Sequence, residues 1–420
     1  MIKENINENI NLIIEPTDKF KSVNIRIDFA SELPPDVTDA QNLISHRALM
    51  AAVLEVSSKK YPNIQTLNDF AADHFGADMG VSLFKLGLTH HLQMTYQFIA
   101  DKYLDTNNQL TDAIEFLEQQ LLSPNFSNEQ SIEIEKNNLI NLLQNQDENL
   151  NSYSKKKLFK NFYDDKRLTI DVNGEIDSIN KINQDDLKNT HQAMIGKDKI
   201  TIIVVGDIDS KQVINLFKKS KLVLADRNPN LDYFYQQDNH QFSYIDEVKN
   251  INQSKLSIAY NLSVDQKGDQ RFVAYLFNSL LGGTPQSKLF TNVREAESLA
   301  YSIGSVYDRF TNAVIVQAGI DQANYKKTDL LIDEQIKQIQ NGDFDDRLIE
   351  DIKRGIINDN LSLSDSLGNL SYKLLMSELL GGSNNEQTYS DKINQITNQQ
   401  IVELSKTIIK QDEFLLTNEK

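Results

Sequence analysis

The 420-residue chain contains no cysteine. That alone excludes disulfides, thiolate metal sites and cysteine nucleophiles. A positive balance is missing too: 60 Asp and Glu outweigh 43 Lys and Arg, leaving a formal charge of -17. Phosphate backbones and anionic membranes are repelled by such a surface, so neither a nucleic-acid nor a membrane partner is expected. Long apolar runs are absent. The longest clear one, Ile202 to Val205, is far too short to span a bilayer. Residues 1–15 mix Lys, Glu and Asn with isolated Ile and Leu and lack the basic-then-apolar layout of a signal peptide. The expected location is therefore cytoplasmic. No G-x-S-x-G, P-loop or G-x-G-x-x-G occurs. What is present is ordinary globular material, 40% hydrophobic and 25% charged, in a chain long enough for about two to four domains.

The chain repeats itself. Asn125-Phe126-Ser127-Asn128 precedes a helical pattern from Glu129 to Leu143, and Asp343-Phe344-Asp345-Asp346 precedes a similar one from Arg347 to Leu361. Without a gap, the offset of 218 residues sets Phe126 on Phe344, Ile134 on Ile352, Glu135-Lys136 on Lys353-Arg354 and Leu139 on Ile357. Further on, Ile179 to Asn183 matches Ile393 to Thr397 at an offset of 214. The early parts match in pattern. Val23 to Phe29 and Lys255 to Tyr260 alternate apolar and polar residues, the period of a strand. Two helices follow each: Arg47 to Val56 and Thr66 to Phe75, then Arg271 to Leu281 and Ser287 to Glu297. Two strands close each set, Val81 to Leu86 with His91 to Phe98, and Tyr301 to Tyr307 with Ala313 to Ile320. Neighbouring strands with helices to one side give an α+β class, two homologous α/β sandwiches. The repeats are placed at 1–225 and 241–420. Between them the polar stretch 226–240 breaks the periodicity and reads as a linker.

One stretch is specific: Leu281-Gly282-Gly283-Thr284-Pro285-Gln286-Ser287-Lys288-Leu289-Phe290, then Val293-Arg294-Glu295 and Leu299-Ala300-Tyr301-Ser302. The paired glycines can take positive φ and end a helix. Thr284-Pro285 is extended, and Ser287 can cap the next helix. Arg294 near that helix's end and Tyr301 at the start of the strand can lie at one sheet edge. This stretch resembles the second-repeat signature of the pitrilysin (insulinase) family, which includes the mitochondrial processing peptidases. The repeat layout agrees over essentially the whole chain. Val205-Gly206-Asp207 closes the first repeat as in that family. Within it the chain is similar to the inactive bacterial subgroup labelled YfmF. The resemblance implies a substrate-binding role for Arg294 and Tyr301, a guanidinium and a phenol that hold substrate backbone and developing negative charge. The alternative for this pair is an i,i+3 ion pair between Arg294 and Glu297 and a half-buried strand tyrosine.

An active member of the family carries H-x-x-E-H on the first helix of the first repeat, two histidines one turn apart with a glutamate as general base. None of the six histidines here begins or ends such a motif. The family register puts Ala48, Ala51 and Ala52 at those positions and Leu142 at the later glutamate ligand. None can bind zinc or move a proton. No catalytic residue, metal ligand or cofactor is therefore assigned. His46 has Met50 one turn on, His90 and His91 point to opposite strand faces, and His74 with Asp78 makes two ligands at best. The resemblance implies a non-catalytic subunit that pairs with a zinc-bearing H-x-x-E-H homologue and helps enclose a peptide substrate. Two alternatives stay open: a stand-alone homodimer that binds peptides or scaffolds a complex, and a zinc peptidase with atypical ligands.

Overall fold

The computed structural model describes residues 1–7, 10–106, 108–223, 231–381 and 386–418. Part of the linker segment, 226–230, therefore lies outside the described residues. The strands are β1 Ile2–Asn7, β2 Ile10–Pro16, β3 Ser22–Glu32, β4 Asp78–Leu86, β5 Thr89–Ile99, β6 Lys199–Gly206, β7 Ser243–Val248, β8 Ser254–Asn261, β9 Ala300–Asp308, β10 Ala313–Ile320 and β11 Ile409–Thr417. The helices are α1 Val37–Val56, α2 Ile64–Asp73, α3 Gln109–Leu122, α4 Glu129–Glu148, α5 Leu150–Phe162, α6 Ile176–Lys181, α7 Gln184–Lys197 and α8 Ser210–Lys219. The second half adds α9 Gln270–Asn278, α10 Tyr325–Asn341, α11 Asp346–Ser362, α12 Leu367–Leu379, α13 Glu386–Asn394 and α14 Asn398–Ser405. The strands read above from periodicity exist, most of them a few residues longer. Of the helices, Thr66 to Phe75 ends at Asp73, Arg271 to Leu281 turns π-helical after Asn278, and Ser287 to Glu297 is a π-helix over Leu289–Ala296.

Two compact units result. The first holds Met1–Gln144, Ile170–Tyr233 and Leu363–Gly382, around a six-stranded sheet in the order β1-β2-β6-β3-β5-β4. Only β2 and β6 run parallel. Alternation fixes its two faces. Val23, Ile25, Ile27 and Phe29 of β3 stack beside Leu92, Met94 and Tyr96 of β5 and Ile202 and Val204 of β6, in one core with α1, α3 and α7. Asn24, Arg26 and Asp28 alternate onto the opposite face. There α12 covers them, and Arg26 donates to Ser371 Oγ and the Gly368 carbonyl, each at 2.9 Å.

The second unit holds Asn145–Thr169, Phe234–Ser362 and Ser383–Lys420, around the sheet β7-β11-β8-β10-β9. Leu256, Ile258, Tyr260, Val314 and Val316 face α9, α10 and α14. The other face carries Ala259, Ile315, Phe414 and Leu416, which pack on Leu158 and Phe162 of α5 and on Tyr163 just after it. Each sheet thus has its own helical layer on one face and, on the other, a single helix contributed by the opposite half of the chain. Helices do not all lie to one side: the other face of the second sheet is apolar and would be exposed to water if left bare, and the polar face of the first is covered through the hydrogen bonds of Arg26.

Equivalent contacts confirm the repeat and correct its register. Lys136 of α4 is buried, bonding Glu133 at 3.0 Å and the Ile182 carbonyl at 3.2 Å. Lys353 of α11 does the same with Glu350 at 3.0 Å and the Asn394 carbonyl at 3.3 Å. The Glu–Lys pairs, though not the carbonyls they reach, match at an offset of 217, one less than the gap-free alignment on Phe126 and Phe344. That alignment would set the exposed Ile134 on the buried Ile352. The later match stands: Asn183 with Asp186 and Thr397 with Gln400 form equivalent capping boxes at an offset of 214.

Candidate functional site

The positions of the missing zinc motif lie on α1. Asp36 caps this helix, its carboxylate accepting the Asp39 N–H at 3.0 Å. Ala48 and Ala51 are only 2% and 5% exposed and sit in the core of the first sheet, alongside Leu49, Met50 and Val53. Small side chains here let the helix lie close on the strands. Leu142, at the position of the later ligand, is 46% exposed on α4. Glu135, two helical turns earlier, is the α4 residue felt on α1. The Glu55 carboxyl is pushed up chiefly by burial. The Val81 N–H it accepts opposes this, and the neighbouring Glu135 and Asp78 charges add to it.

Each histidine is engaged by protein. His46 lies 3.4 Å from the Thr190 hydroxyl. His74 donates Nδ1–H to the Phe70 carbonyl at 2.7 Å, with Nε2 3.6 Å from Asp112. The expected partner Asp78 lies instead on β4, because α2 ends at Asp73. His90 and His91 do face opposite ways, both fully buried. His91 bonds Asp28 at 2.9 Å and Thr89 at 3.1 Å. His90 accepts from Arg47 Nε at 3.0 Å, so its proton is on Nε2 and goes to the Val172 carbonyl at 3.0 Å. Arg47 also holds Asp198 and the Phe29 carbonyl. His191 donates to the Leu121 carbonyl at 2.6 Å, and His240 to Asp412 at 2.6 Å. Among the described residues no three His, Asp or Glu converge as a metal would need.

This predicts an acid-sensitive first unit. Burial, then the Arg47 charge, holds His90 well below its ordinary value of 6.5. Burial also lowers His46, opposed by Asp186, and His191, opposed by its bond to Leu121. A base depressed in the folded state contributes stability above its unfolded pKa. That stability is lost as pH falls below 6.5, because the unfolded chain takes the proton first. Hydrogen exchange of β3 and β5 should accelerate between pH 6.5 and 5.5, after correction for intrinsic rates, and less so in His90→Gln. Equal corrected rates at both pH values would contradict this reading.

The Arg–Tyr stretch lies in the second unit. After α9 the chain makes a π-helical turn, Ser279–Gly283, and after Thr284-Pro285 a second, Leu289–Ala296. Neither Gly282 nor Gly283 has positive φ. Gly282 is required for another reason: a Cβ there would stand 2.7 Å from the Ser305 amide nitrogen of β9. Ser287 does not cap with its hydroxyl, which engages nothing, but its carbonyl accepts the Thr291 N–H at 3.0 Å. Arg294 is exposed, with its guanidinium 4.5 Å from the centre of the Phe290 ring. The Arg294–Glu297 pair does not form. Glu297 instead binds Lys327 at 2.6 Å, and no carboxylate ion-pairs with Arg294 among the described residues. Tyr301 is 64% exposed rather than half-buried, its hydroxyl 3.4 Å from the nearer Asp321 oxygen. It opens β9, which among the described residues has no neighbour on its outer side in the sheet. A solvent-facing guanidinium and phenol beside a free strand edge are donors suited to a peptide carbonyl.

Sequence reading missed the Arg47 network and the paired buried lysines. Charged residues at helical spacing look like a solvated face until packing is known. Only the recurrence of Glu-x-x-Lys in both repeats could have flagged the lysines.

The family described as peptidase M16 inactive domain matches residues 181–356. A curated relative, the probable inactive metalloprotease YmfF of Bacillus subtilis (strain 168), is 28% identical over 339 residues, covering 80% of this chain and 78% of the relative. Among solved structures, a conserved protein from Enterococcus faecalis V583 superposes with a TM-score of 0.91 at 28% identity, covering 100% of this chain and 98% of the other. A peptidase M16 inactive domain from Pseudomonas fluorescens gives a TM-score of 0.79 at 14% identity, covering 100% and 98%, and shares the fold. No helix among the described residues is long and apolar enough to cross a membrane.

Proposed function

We propose, from the premise that this chain is a non-catalytic member of the peptidase M16 family, that it is the zinc-free subunit of a two-protein peptidase. A zinc-bearing H-x-x-E-H homologue supplies the metal, the base and the bond cleavage. This chain supplies chamber wall and the donors that hold substrate. The observation that carries the reading is the contrast between the two motifs. The zinc positions Ala48 and Ala51 are packed into core, whereas Arg294 and Tyr301 stay solvent-facing, Arg294 without a carboxylate ion pair among the described residues. Keeping an exposed guanidinium and an exposed phenol beside a strand edge contributes little to folding, since surface charges are worth about 0–1 kcal/mol. It does suit recognition of an extended peptide, whose carbonyls need donors.

Affinity capture of the tagged chain is expected to return the H-x-x-E-H homologue in stoichiometric amount. In that complex, Arg294→Ala should lower kcat/KM for an unfolded peptide by about 100–1000-fold, the range for losing a donor to developing charge. Co-elution of the two proteins should not change. Unaltered turnover would remove Arg294 from substrate binding. Recovery of this chain alone would favour the peptide-binding homodimer.

A further inference from the structure

Buried and half-buried arginines in this chain share a habit. The Nε–H and one Nη2–H of a guanidinium lie parallel and form the edge that grips two acceptors at once. Arg26 fills that edge with Ser371 and the Gly368 carbonyl. Arg47 fills it with His90 and the Phe29 carbonyl. Arg167 fills it with the Asp165 carboxylate, Nε at 3.0 Å and Nη2 at 2.6 Å. Arg309, in the turn between β9 and β10, breaks the habit. Its Nε and Nη2 are both buried, and neither has a hydrogen-bond partner.

The surroundings do not make up the deficit. The guanidinium carbon is 5.7 Å from the Phe310 ring centre and 6.0 Å from that of Phe234, the outer limit of a cation–π contact. The nearby carboxylate of Asp308 already accepts the Phe310 N–H and the Thr311 hydroxyl, each at 2.9 Å. Asp269 is paired with Lys392. The second charge close enough to act on Arg309 is a like one, Arg271, which donates to the Lys267 carbonyl at 2.7 Å and lies against Phe272. Burial and then Arg271 both disfavour the charged form of Arg309. Two guanidinium groups held near one another with an empty bidentate edge, in a protein of charge -17, lack an anion.

We propose that Arg309, with Arg271 as the second cation, binds an oxyanion, a carboxylate or phosphate group, on its Nε/Nη2 edge. The proposal is independent of the peptidase reading, since neither arginine belongs to the Arg294–Tyr301 stretch.

Isothermal titration of the full chain at low ionic strength tests it, with inorganic phosphate in one arm. A short alanine peptide as free acid, and the same peptide as its amide, form the other. One saturable site is expected. Its affinity should fall at least about tenfold in Arg309→Gln, the loss expected for charged hydrogen bonds. A smaller loss is expected in Arg271→Gln and none in Arg354→Gln, a surface control. Phosphate binding without preference for the free acid assigns a phosphate site. Preference for the acid over the amide assigns a carboxylate site. Absence of saturable binding in both arms overturns the proposal, as does undiminished affinity in Arg309→Gln. Should Arg309→Gln not fold, undiminished affinity in Arg271→Gln overturns it equally.

Discussion

Replacing Arg47 by Met should destabilise the first unit by roughly 3–5 kcal/mol, the cost of removing one partner from a buried ion pair. Arg47 is fully buried and is tied to α1 by its own backbone. It joins three parts of the chain: Phe29 on β3, His90 on β5 and Asp198 at the end of α7. Met keeps most of the aliphatic stem, so little packing is lost. What is lost is the cation beside a buried carboxylate and the donors to a buried imidazole nitrogen and a buried carbonyl. Because two compact units need not unfold in one step, the readout should be local: native-state hydrogen exchange of β3 and β5 peptides. Adding Asp198→Leu should recover part of the loss, since a buried pair replaced on both sides by apolar groups is often close to neutral. A loss under about 1 kcal/mol in the single variant would show that the network contributes far less than its burial implies.

The second large effect concerns the zinc motif. Writing it back with Ala48→His, Ala51→Glu and Ala52→His should cost the first unit about 3 kcal/mol or more before any metal is added. Overpacking a filled core costs about 1–3 kcal/mol per site. Ala51→Glu adds the burial of a carboxylate. The single change Ala52→His, at a partly buried position, should be the mildest of the three. Urea midpoints followed by exchange of α1 peptides would separate these variants. A triple variant as stable as the parent would mean that the space beside α1 is open, and that the site was lost by composition alone rather than filled in. The buried alanines argue for filling: once the metal ligands are gone, small side chains gain more by close packing against β4 and β5 than by keeping an unused cavity.

How much of this was legible follows from where each property resides. Strand alternation in Val23 to Phe29 and Lys255 to Tyr260 and the repeat of the second half on the first are local chemistry written in residue order. So are the loss of histidines at Ala48 and Ala52 and the exposure-tolerant Arg294 and Tyr301. The sequence alone therefore determined the α+β class, the twofold repeat and the absence of a zinc motif. It could not decide which face of a sheet meets which helix. Asn24, Arg26 and Asp28 alternate like a solvated face, yet α12 buries them. That helix arrives from more than three hundred residues further along the chain, by a contact no periodicity encodes. The same holds for α5 on the second sheet, for the π-helical turns that bring Gly282 against β9, and for the edge of Arg309 left without an acceptor. Those features depend on the summed packing of distant segments, in which a side chain's partners are fixed by the whole fold and not by its neighbours in the chain.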